Sequence, residues 1–292
     1  MENPKKILKK YDLHAVKKFG QNFLINNNII DKIVKTSNFK DEDGIVEIGA
    51  GIGHLTNKLL STAQKVVTIE IDKKLIPVLE KELNEYKNLK IINDDFLNLD
   101  LKKIINEEFA INQKIHVIAN LPYYITSQIV LKLLENIELF DSFTLMMQKE
   151  VAQRFCAKPK TKVYNNLSVM CQFYCDVKII FDVSPNNFTP IPNVTSSVVY
   201  FKVNPKFQLD EPQLFWKFVR SGFVNKRKTL VNNLGIYLNS KEKAVNLIND
   251  LSWSLTIRSE ELTFSMFYQL FTIINNKYLS ESLLKLMILE CG

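Results

Sequence analysis

The residues of this chain best suited to chemistry form a short turn, Asn120-Leu-Pro-Tyr123. The Asn120 side-chain oxygen and the Leu121 carbonyl are two acceptors that could hold both N–H bonds of an aromatic amine. Such an amine is a poor nucleophile while its lone pair is delocalised into the ring. Pro122 stiffens the turn and removes a competing N–H donor, and Tyr123 offers a ring on which a base can stack. The turn could therefore hold and orient an amine for group transfer, with catalysis coming mostly from alignment and electrostatics.

A glycine-rich turn upstream could bring the backbone close to a cofactor. Three of the eight glycines, Gly49, Gly51 and Gly53, directly follow an apolar run at 45–48. Glycine lets the chain turn tightly and lets backbone N–H groups approach a ligand. The third glycine comes one residue too early for the dinucleotide fingerprint G-x-G-x-x-G, which argues against a bound pyrophosphate. The spacing favours S-adenosylmethionine over a nicotinamide dinucleotide.

Two carboxylates follow the next two apolar runs. Glu70 ends the second run and could accept hydrogen bonds from both hydroxyls of a ribose, whereas Asp95 follows the third and could accept from an adenine amino group. Open parallel sheets bind their ligands at the carboxyl ends of the strands. We therefore expect an adenosine-containing cofactor to be bound by Gly49, Gly51, Glu70 and Asp95.

The elements that must position these residues form an alternating pattern. From residue 44 to 148, β-rich runs at 45–48, 66–71, 89–93, 115–119 and 143–147 are separated by stretches with helical spacing. This alternation predicts an α/β, Rossmann-like sheet that is mostly parallel and covered by helices. Segments 171–181 and 197–203 are expected to close the sheet as an antiparallel pair, with a proline-rich loop at 184–192 between them.

The β pattern fades after residue 205, where helices are expected at 214–234 and 260–274. The predicted domains are therefore 1–205, which carries the cofactor site and a basic N-terminal tail, and 206–292, a small all-helical domain. We expect the second domain to bind RNA through its basic segment at 217–228.

The formal charge of +7 is concentrated in three segments, 1–20, 149–178 and 217–228, and the rest of the chain is net acidic. A basic protein with an acidic remainder suggests a polyanion bound at selected surfaces. The RNA-binding residues predicted from these clusters are Lys17, Lys18, Arg154, Arg220, Lys226, Arg227 and Lys228.

Several other classes of protein are disfavoured by the composition. Four cysteines cannot staple 292 residues, so we expect reduced thiols in a cytoplasmic protein. The spacing of Cys171 and Cys175 is wrong for a paired zinc site, and no metal is expected. The sequence has no apolar run of about 18 residues and no signal-peptide core at its N-terminus, so no membrane association is expected.

Six signatures, in this order and spacing, resemble those of the ribosomal RNA small-subunit adenine dimethyltransferase family. The turn at 120–126 is also similar to the Asn/Asp-Pro-Pro-Tyr signature of methyltransferases that act on exocyclic amines. The six are Lys18-Phe-Gly-Gln-Asn-Phe-Leu24, Val46-Glu-Ile-Gly-Ala-Gly-Ile-Gly-His-Leu-Thr56, Asn120-Leu-Pro-Tyr-Tyr-Ile-Thr126, Met147-Gln-Lys-Glu-Val-Ala152, Phe188-Thr-Pro-Ile-Pro-Asn-Val194 and Arg227-Lys-Thr-Leu230.

The resemblance implies a class I methyltransferase sheet followed by a small helical domain. It also implies transfer of four methyl groups, two to N6 of each of two adjacent adenosines near the 3′ end of small-subunit (16S) rRNA. Asn22 and Leu24 match positions of a lid that contacts S-adenosylmethionine, and Asn120 matches a further position that binds this cofactor. The implied partner is the small-subunit rRNA within an assembling pre-30S particle, and the implied oligomeric state is a monomer.

Two alternatives remain open on sequence alone. One is a large-subunit rRNA adenine methyltransferase of the macrolide-resistance type, although Leu121 in the catalytic turn and the proline-rich loop argue against it. The other is a non-catalytic RNA-binding assembly or transcription factor on the same fold.

Overall fold

The computed structural model describes residue 2 and residues 4–16, 19–209 and 211–279. By its internal contacts the chain divides into two units. The first comprises Met1–Gln153 and Cys175–Asn204, and the second comprises Arg154–Tyr174 and Pro205–Gly292.

The first unit is built on a seven-stranded sheet with the order β4-β3-β2-β5-β6-β9-β7. Strands β4, β3, β2, β5 and β6 pair in parallel, and β9 pairs antiparallel with both β6 and β7. Only β9 therefore opposes the others in this sheet, which confirms the predicted fold class. The strands are β2 (Gly44–Ile48), β3 (Lys65–Ile69), β4 (Leu89–Ile92), β5 (Ile115–Asn120), β6 (Ser142–Gln148), β7 (Cys175–Val183) and β9 (Ser196–Val203).

Buried apolar strands explain why this sheet forms. All five residues of β2 are buried, as are the first five of β5, which is typical of a parallel sheet covered on its faces. Helix α2 packs against β5, β6 and β9, and α3 packs against β3. The helices of this unit are α1 (Pro4–Lys10), α2 (Asn27–Ser37), α3 (His54–Leu60), α4 (Ile76–Glu82), α5 (Leu101–Glu108) and α6 (Thr126–Glu135), with 3₁₀ turns at Phe96–Asn98, Ile137–Leu139 and Pro185–Asn187.

A separate two-stranded sheet joins two loops of the first unit. Strand β1 (Phe23–Leu24) pairs antiparallel with β8 (Phe188–Thr189). Helix α1 packs beside it, since buried Ile7 belongs to one apolar cluster with Phe23 and Ile52. The N-terminal segment is thus held against the glycine-rich turn.

The second unit is helical. Its buried aromatic rings pack closely, with the centroids of Phe173 and Phe215 4.7 Å apart and those of Phe215 and Phe271 5.2 Å apart. Helix α7 (Lys149–Phe155) begins in the first unit and ends in the second, because the chain passes from one to the other after Gln153. The other helices are α8 (Asn166–Tyr174), α9 (Pro212–Gly222), α10 (Leu230–Tyr237), α11 (Lys241–Asp250) and α12 (Phe264–Ile274), with a 3₁₀ turn at Ser259–Glu261 and a π-helical turn at Asn275–Leu279.

The helical unit corrects three expectations from sequence. Residues 154–174 belong to it, so one boundary near 205 does not describe the chain. Residues 171–174 are helical rather than extended, because α8 is buried on nearly all sides and its continuous apolar run looks like a strand. The helix expected at 214–234 is interrupted after Gly222, whose carbonyl accepts hydrogen bonds from Asn233 Nδ2 (2.8 Å) and from Ser259 Oγ.

Candidate active site

The glycine-rich turn between β2 and α3 needs its glycines. Gly49, Gly51 and Gly53 have φ angles of 78°, 58° and 84°, in the left-handed region that favours glycine. A Cβ on Gly51 would also lie 3.2 Å from the Phe23 ring. The turn therefore combines a backbone conformation and a close approach to the lid that other residues would disturb.

Glu70 fastens this turn to the end of β3. The side chain is 5% exposed, and its Oε2 accepts the Gly51 N–H at 2.8 Å while Oε1 accepts the Asp72 N–H at 2.9 Å. Burial raises the pKa of the carboxyl above its ordinary value, against the effect of these backbone donors. Glu70 thus shapes the turn from the edge of the cleft that it lines.

Glu47 supports the same turn from behind. The side chain is buried, and its Oε2 accepts hydrogen bonds from Thr56 Oγ1 (2.6 Å) and Thr68 Oγ1 (2.8 Å). Its Oε1 is buried without a hydrogen-bond partner in the described part of the chain. Burial raises the pKa of this carboxyl to about 7. Glu47 therefore binds a proton far more readily than an exposed glutamate.

Asp95 follows β4 and lies half-buried at the same edge of the sheet. Its Oδ1 accepts the Leu97 N–H at 2.9 Å and so begins the 3₁₀ turn Phe96–Asn98. The carboxylate is held in place by one oxygen, and the other oxygen is available to a donor in the cleft.

The Asn120 side chain at the end of β5 is oriented by Asn22, which belongs to the predicted lid at residues 21–24. Asn120 Nδ2 donates to the Asn22 carbonyl at 3.1 Å, and Asn22 Nδ2 donates to the Gly20 carbonyl at 3.1 Å. Because the NH₂ end of the Asn120 amide is engaged, its Oδ1 is the end left to accept a hydrogen bond.

The rest of the turn is held by the neighbouring strands. Leu121 N–H donates to the Met146 carbonyl at 3.0 Å, and no described residue donates to the Leu121 carbonyl. Tyr123 Oη and Ser196 Oγ are 2.7 Å apart and share a hydrogen bond, and burial raises the pKa of this tyrosine. Asn120 and Leu121 thus present two acceptors beside a fixed aromatic ring.

Tyr124 is a residue of this site that the sequence reasoning missed. Its side chain is 56% exposed, and its ring lies so close to Gly20 that a Cβ there would be 3.2 Å from it. Burial, with the charges of Asp95 and Glu70, raises the pKa of its hydroxyl. The doubled tyrosine in the motif was the available signal, because only one ring was assigned a role.

One cleft collects all of the predicted cofactor-binding and catalytic residues. It encloses about 1050 Å³, including its opening to solvent. Backbone of the glycine-rich turn, two carboxylates, an amide and aromatic rings line it together. Its lining includes Asn22, Leu24, Gly49, Gly51, Glu70, Asp95, Asn120, Leu121, Pro122 and Tyr123.

The predicted RNA-binding residues that the structure describes do not line this cleft. Lys17 and Lys18 lie outside the described residues. The others belong to the helical unit, with Arg154 at the end of α7, Arg220 in the last turn of α9 and residues 226–228 exposed in the turn between α9 and α10.

The chain carrying this cleft matches a known protein family. A model of the family described as ribosomal RNA adenine dimethylase matches residues 13–275. The chain belongs to the ribosomal RNA adenine dimethylase family. The predicted activity, that of an S-adenosylmethionine-dependent rRNA adenine dimethyltransferase, is thereby confirmed at the level of the family.

Curated relatives agree over nearly the whole chain. The chain is 46% identical over 248 residues to ribosomal RNA small subunit methyltransferase A of Shouchella clausii, covering 84% of each protein. It is 41% identical over 268 residues to the protein of the same name from Lactococcus lactis, covering 90% of this chain and 91% of that one.

Solved structures show the same architecture. A dimethyladenosine transferase from Plasmodium falciparum superimposes with a TM-score of 0.73 at 28% identity, covering 86% of this chain and 97% of the other. The 23S rRNA methyltransferase ErmE superimposes with a TM-score of 0.65 at 22% identity, covering 86% and 98%. The second similarity shows the fold alone.

The described residues contain neither a helix that could cross a membrane nor a cluster that could hold a metal ion. None of their helices has the length and apolar character needed to cross a membrane. Within the same residues, no group of three or more histidine, cysteine or acidic side chains could hold a metal ion.

Proposed function

We propose that this dimethylase transfers methyl groups to N6 of two adjacent adenosines near the 3′ end of small-subunit (16S) rRNA. The observation that carries the proposal is the pair of acceptors, Asn120 Oδ1 and the Leu121 carbonyl, at the end of β5. Two acceptors match the two N–H bonds of an adenine amine. The names of the curated relatives support the small subunit as the source of the RNA.

The cleft fits S-adenosylmethionine by the chemistry of its donors and acceptors. The left-handed glycine turn lets backbone approach a ligand, Glu70 and Asp95 carry carboxylate oxygens for hydroxyl and amino donors, and Ile48 and Phe96 line the same cleft with apolar surface. When bound, this cofactor supplies a methyl group on a sulfonium, which is already a good leaving group.

The chain's own residues then have to present the amine. Asn120 and Leu121 accept its two N–H bonds and direct the nitrogen lone pair away from the base plane. Tyr123 provides a ring on which an extruded base stacks, worth about 1–3 kcal/mol. The hydrogen bond between Tyr123 and Ser196 (2.7 Å) keeps that ring in place. Since methyl transfer from a sulfonium needs no strong base, orientation is the main contribution.

Basic residues of the helical unit contact the phosphate backbone of the RNA. Lys226, Arg227 and Lys228 are exposed in the turn that separates α9 from α10, and Arg220 lies 5.8 Å from the centroid of the Trp216 ring. Contacts between these basic side chains and phosphates fix the position and orientation of the RNA, while the cleft selects the base. We further propose that the enzyme works as a cytoplasmic monomer on the assembling small subunit.

The test is incubation with tritiated S-adenosylmethionine and small subunits that lack these methyl groups, followed by nucleoside analysis. We expect N6,N6-dimethyladenosine in small-subunit rRNA, and none with Asn120→Ala. Incorporation into large-subunit rRNA instead would contradict the proposal. Parallel reactions with protein-free rRNA and with assembling particles identify the preferred substrate.

A further inference from the structure

Backbone hydrogen bonds join the cofactor lid to the proline-rich loop. In the β1–β8 ladder Phe23 pairs with Thr189 and Leu24 with Phe188. The next residue continues the contact, since Ile25 N–H donates to the Asn187 carbonyl at 2.8 Å. Two segments more than 160 residues apart in sequence are therefore joined by backbone hydrogen bonds.

A hydrogen bond between two asparagine side chains extends this pairing beyond the end of β1. Asn26 Nδ2 donates to Asn187 Oδ1 at 2.7 Å. The other end of each amide is also engaged: Asn26 Oδ1 accepts the Asn28 N–H at 2.9 Å and caps α2, and Asn187 Nδ2 donates to Ser184 Oγ at 2.8 Å. Because both ends of both amides are used, neither amide can rotate without losing a hydrogen bond.

The locked strand leads directly to the reacting groups. Leu24 is buried and lines the cleft, Phe23 packs on Gly51, and the Asn22 carbonyl accepts from Asn120 Nδ2. A shift of β1 would move the Asn22 carbonyl and release the Asn120 amide. Small displacements of aligned groups can cost up to about 10²-fold in rate.

We propose that Asn26 and Asn187 are a positioning pair for methyl transfer. Their hydrogen bond fixes β1, and β1 in turn fixes the orientation of the Asn120 amide. The inference rests on the proposed function for its rate measurements only. It assigns to the proline-rich loop a part in catalysis through the lid, in addition to any contact with RNA.

The variants can be matched closely. Asn187→Asp keeps an oxygen that accepts from Asn26, so the hydrogen bond survives. In the double variant Asn26→Asp/Asn187→Asp no amide donor remains, and no rotation restores the bond, yet an Asp at 26 still caps α2. Asn28→Asp places the same added charge in the first turn of α2, where the side chain is exposed.

We expect kcat at saturating RNA and S-adenosylmethionine to fall about tenfold in the double variant, relative to Asn187→Asp. Asn28→Asp should stay within twofold of the unaltered chain. Equal kcat for the double variant and Asn187→Asp would overturn the inference.

Two readouts do not require turnover. In the double variant, amide hydrogen exchange of segments 22–26 and 184–190 should accelerate together, and calorimetry should show S-adenosylmethionine binding weakened about threefold. Unchanged exchange with a reduced kcat would overturn the inference, because the effect would not pass through the lid. If the unaltered chain methylates no small-subunit RNA, the proposed function fails. Hydrogen exchange and calorimetry still test whether the Asn26–Asn187 hydrogen bond fixes β1.

Discussion

The side-chain amide of Asn120 donates a 3.1 Å hydrogen bond to the backbone carbonyl of Asn22, 98 residues earlier in the chain. This contact decides which end of the amide is free. It leaves Oδ1 as an acceptor beside the Leu121 carbonyl and makes the orientation of Asn120, the proposed catalytic residue, depend on Asn22 of the proposed lid.

Asn120→Ala removes one of the two acceptors proposed for the amine. We expect methyl transfer to fall by roughly 10²–10³-fold, the size of effect seen when one oriented polar group is lost from an active site. Binding of S-adenosylmethionine, measured by calorimetry, should change only severalfold because the glycine turn is untouched. Near-normal turnover would remove Asn120 from the mechanism.

Glu70→Gln should weaken cofactor binding and loosen the glycine turn. One amide oxygen can accept from the Gly51 or the Asp72 N–H, which are 2.8 and 2.9 Å from the two carboxylate oxygens, but not from both. Losing a hydrogen bond to a charged group costs about 1.5–3 kcal/mol, so the Kd of S-adenosylmethionine should rise by about 10–100-fold in calorimetry. The exposed Glu80→Gln is the matched control, and an unchanged Kd in Glu70→Gln would refute the role of this carboxylate.

Glu47 should make the stability of the enzyme depend on pH. Its pKa is raised from 4.5 to about 7 in the folded chain, so the folded state binds the proton more tightly than the unfolded state. Its contribution is fully present below about pH 4.5 and is lost as the pH rises through about 7. The loss is at most about 3 kcal/mol.

Glu47→Gln should flatten that dependence, since the amide does not titrate. Denaturant unfolding at pH 5 and pH 8 measures it as the difference between the two free energies of unfolding. Exposed Glu42→Gln should leave the difference as it is in the unaltered chain. If Glu47→Gln also leaves it unchanged, Glu47 does not titrate in this range.

Reversing Lys226, Arg227 and Lys228 to Glu should weaken binding of small-subunit RNA and flatten its salt dependence. Each lost phosphate contact reduces the slope of log K against log salt by about 0.7–0.9. Three other exposed lysines, Lys40, Lys87 and Lys102, provide a control with the same change of charge. Equal slopes for the two triple variants would mean that the turn is only a solvated surface.

The cleft could be predicted from the sequence because each of its motifs directly follows an apolar run. Parallel strands place their carboxyl ends at one edge, so local motifs at 49, 70, 95 and 120 had to meet there. The tertiary partners of these residues were beyond such reasoning. Glu70 was assigned to a ribose, whereas in the fold it also holds two backbone N–H groups.

The lid and the helical unit show where sequence patterns stop being informative. Nothing near Asn22 or Asn187 indicates that their segments pair, because the pairing depends on the register of β1 with β8. The end of α9 at Gly222 is set by Asn233 and Ser259, which come from other parts of the chain. The Ser240 side chain caps α11 through the Lys243 N–H at 3.2 Å, and that serine was a local signal for a helix that was not predicted.

The chain crosses between the two units after residues 153, 174 and 204. This limits which fragments of the enzyme can contain a whole unit. A fragment beginning at 205 would lack Phe173 and Tyr174, and Trp216 Nε1 would lose its hydrogen bond to Tyr174 Oη (3.1 Å). The helical unit is thus encoded by two separate stretches of the gene. A chimaera that exchanges this unit with a relative has to exchange both stretches at once.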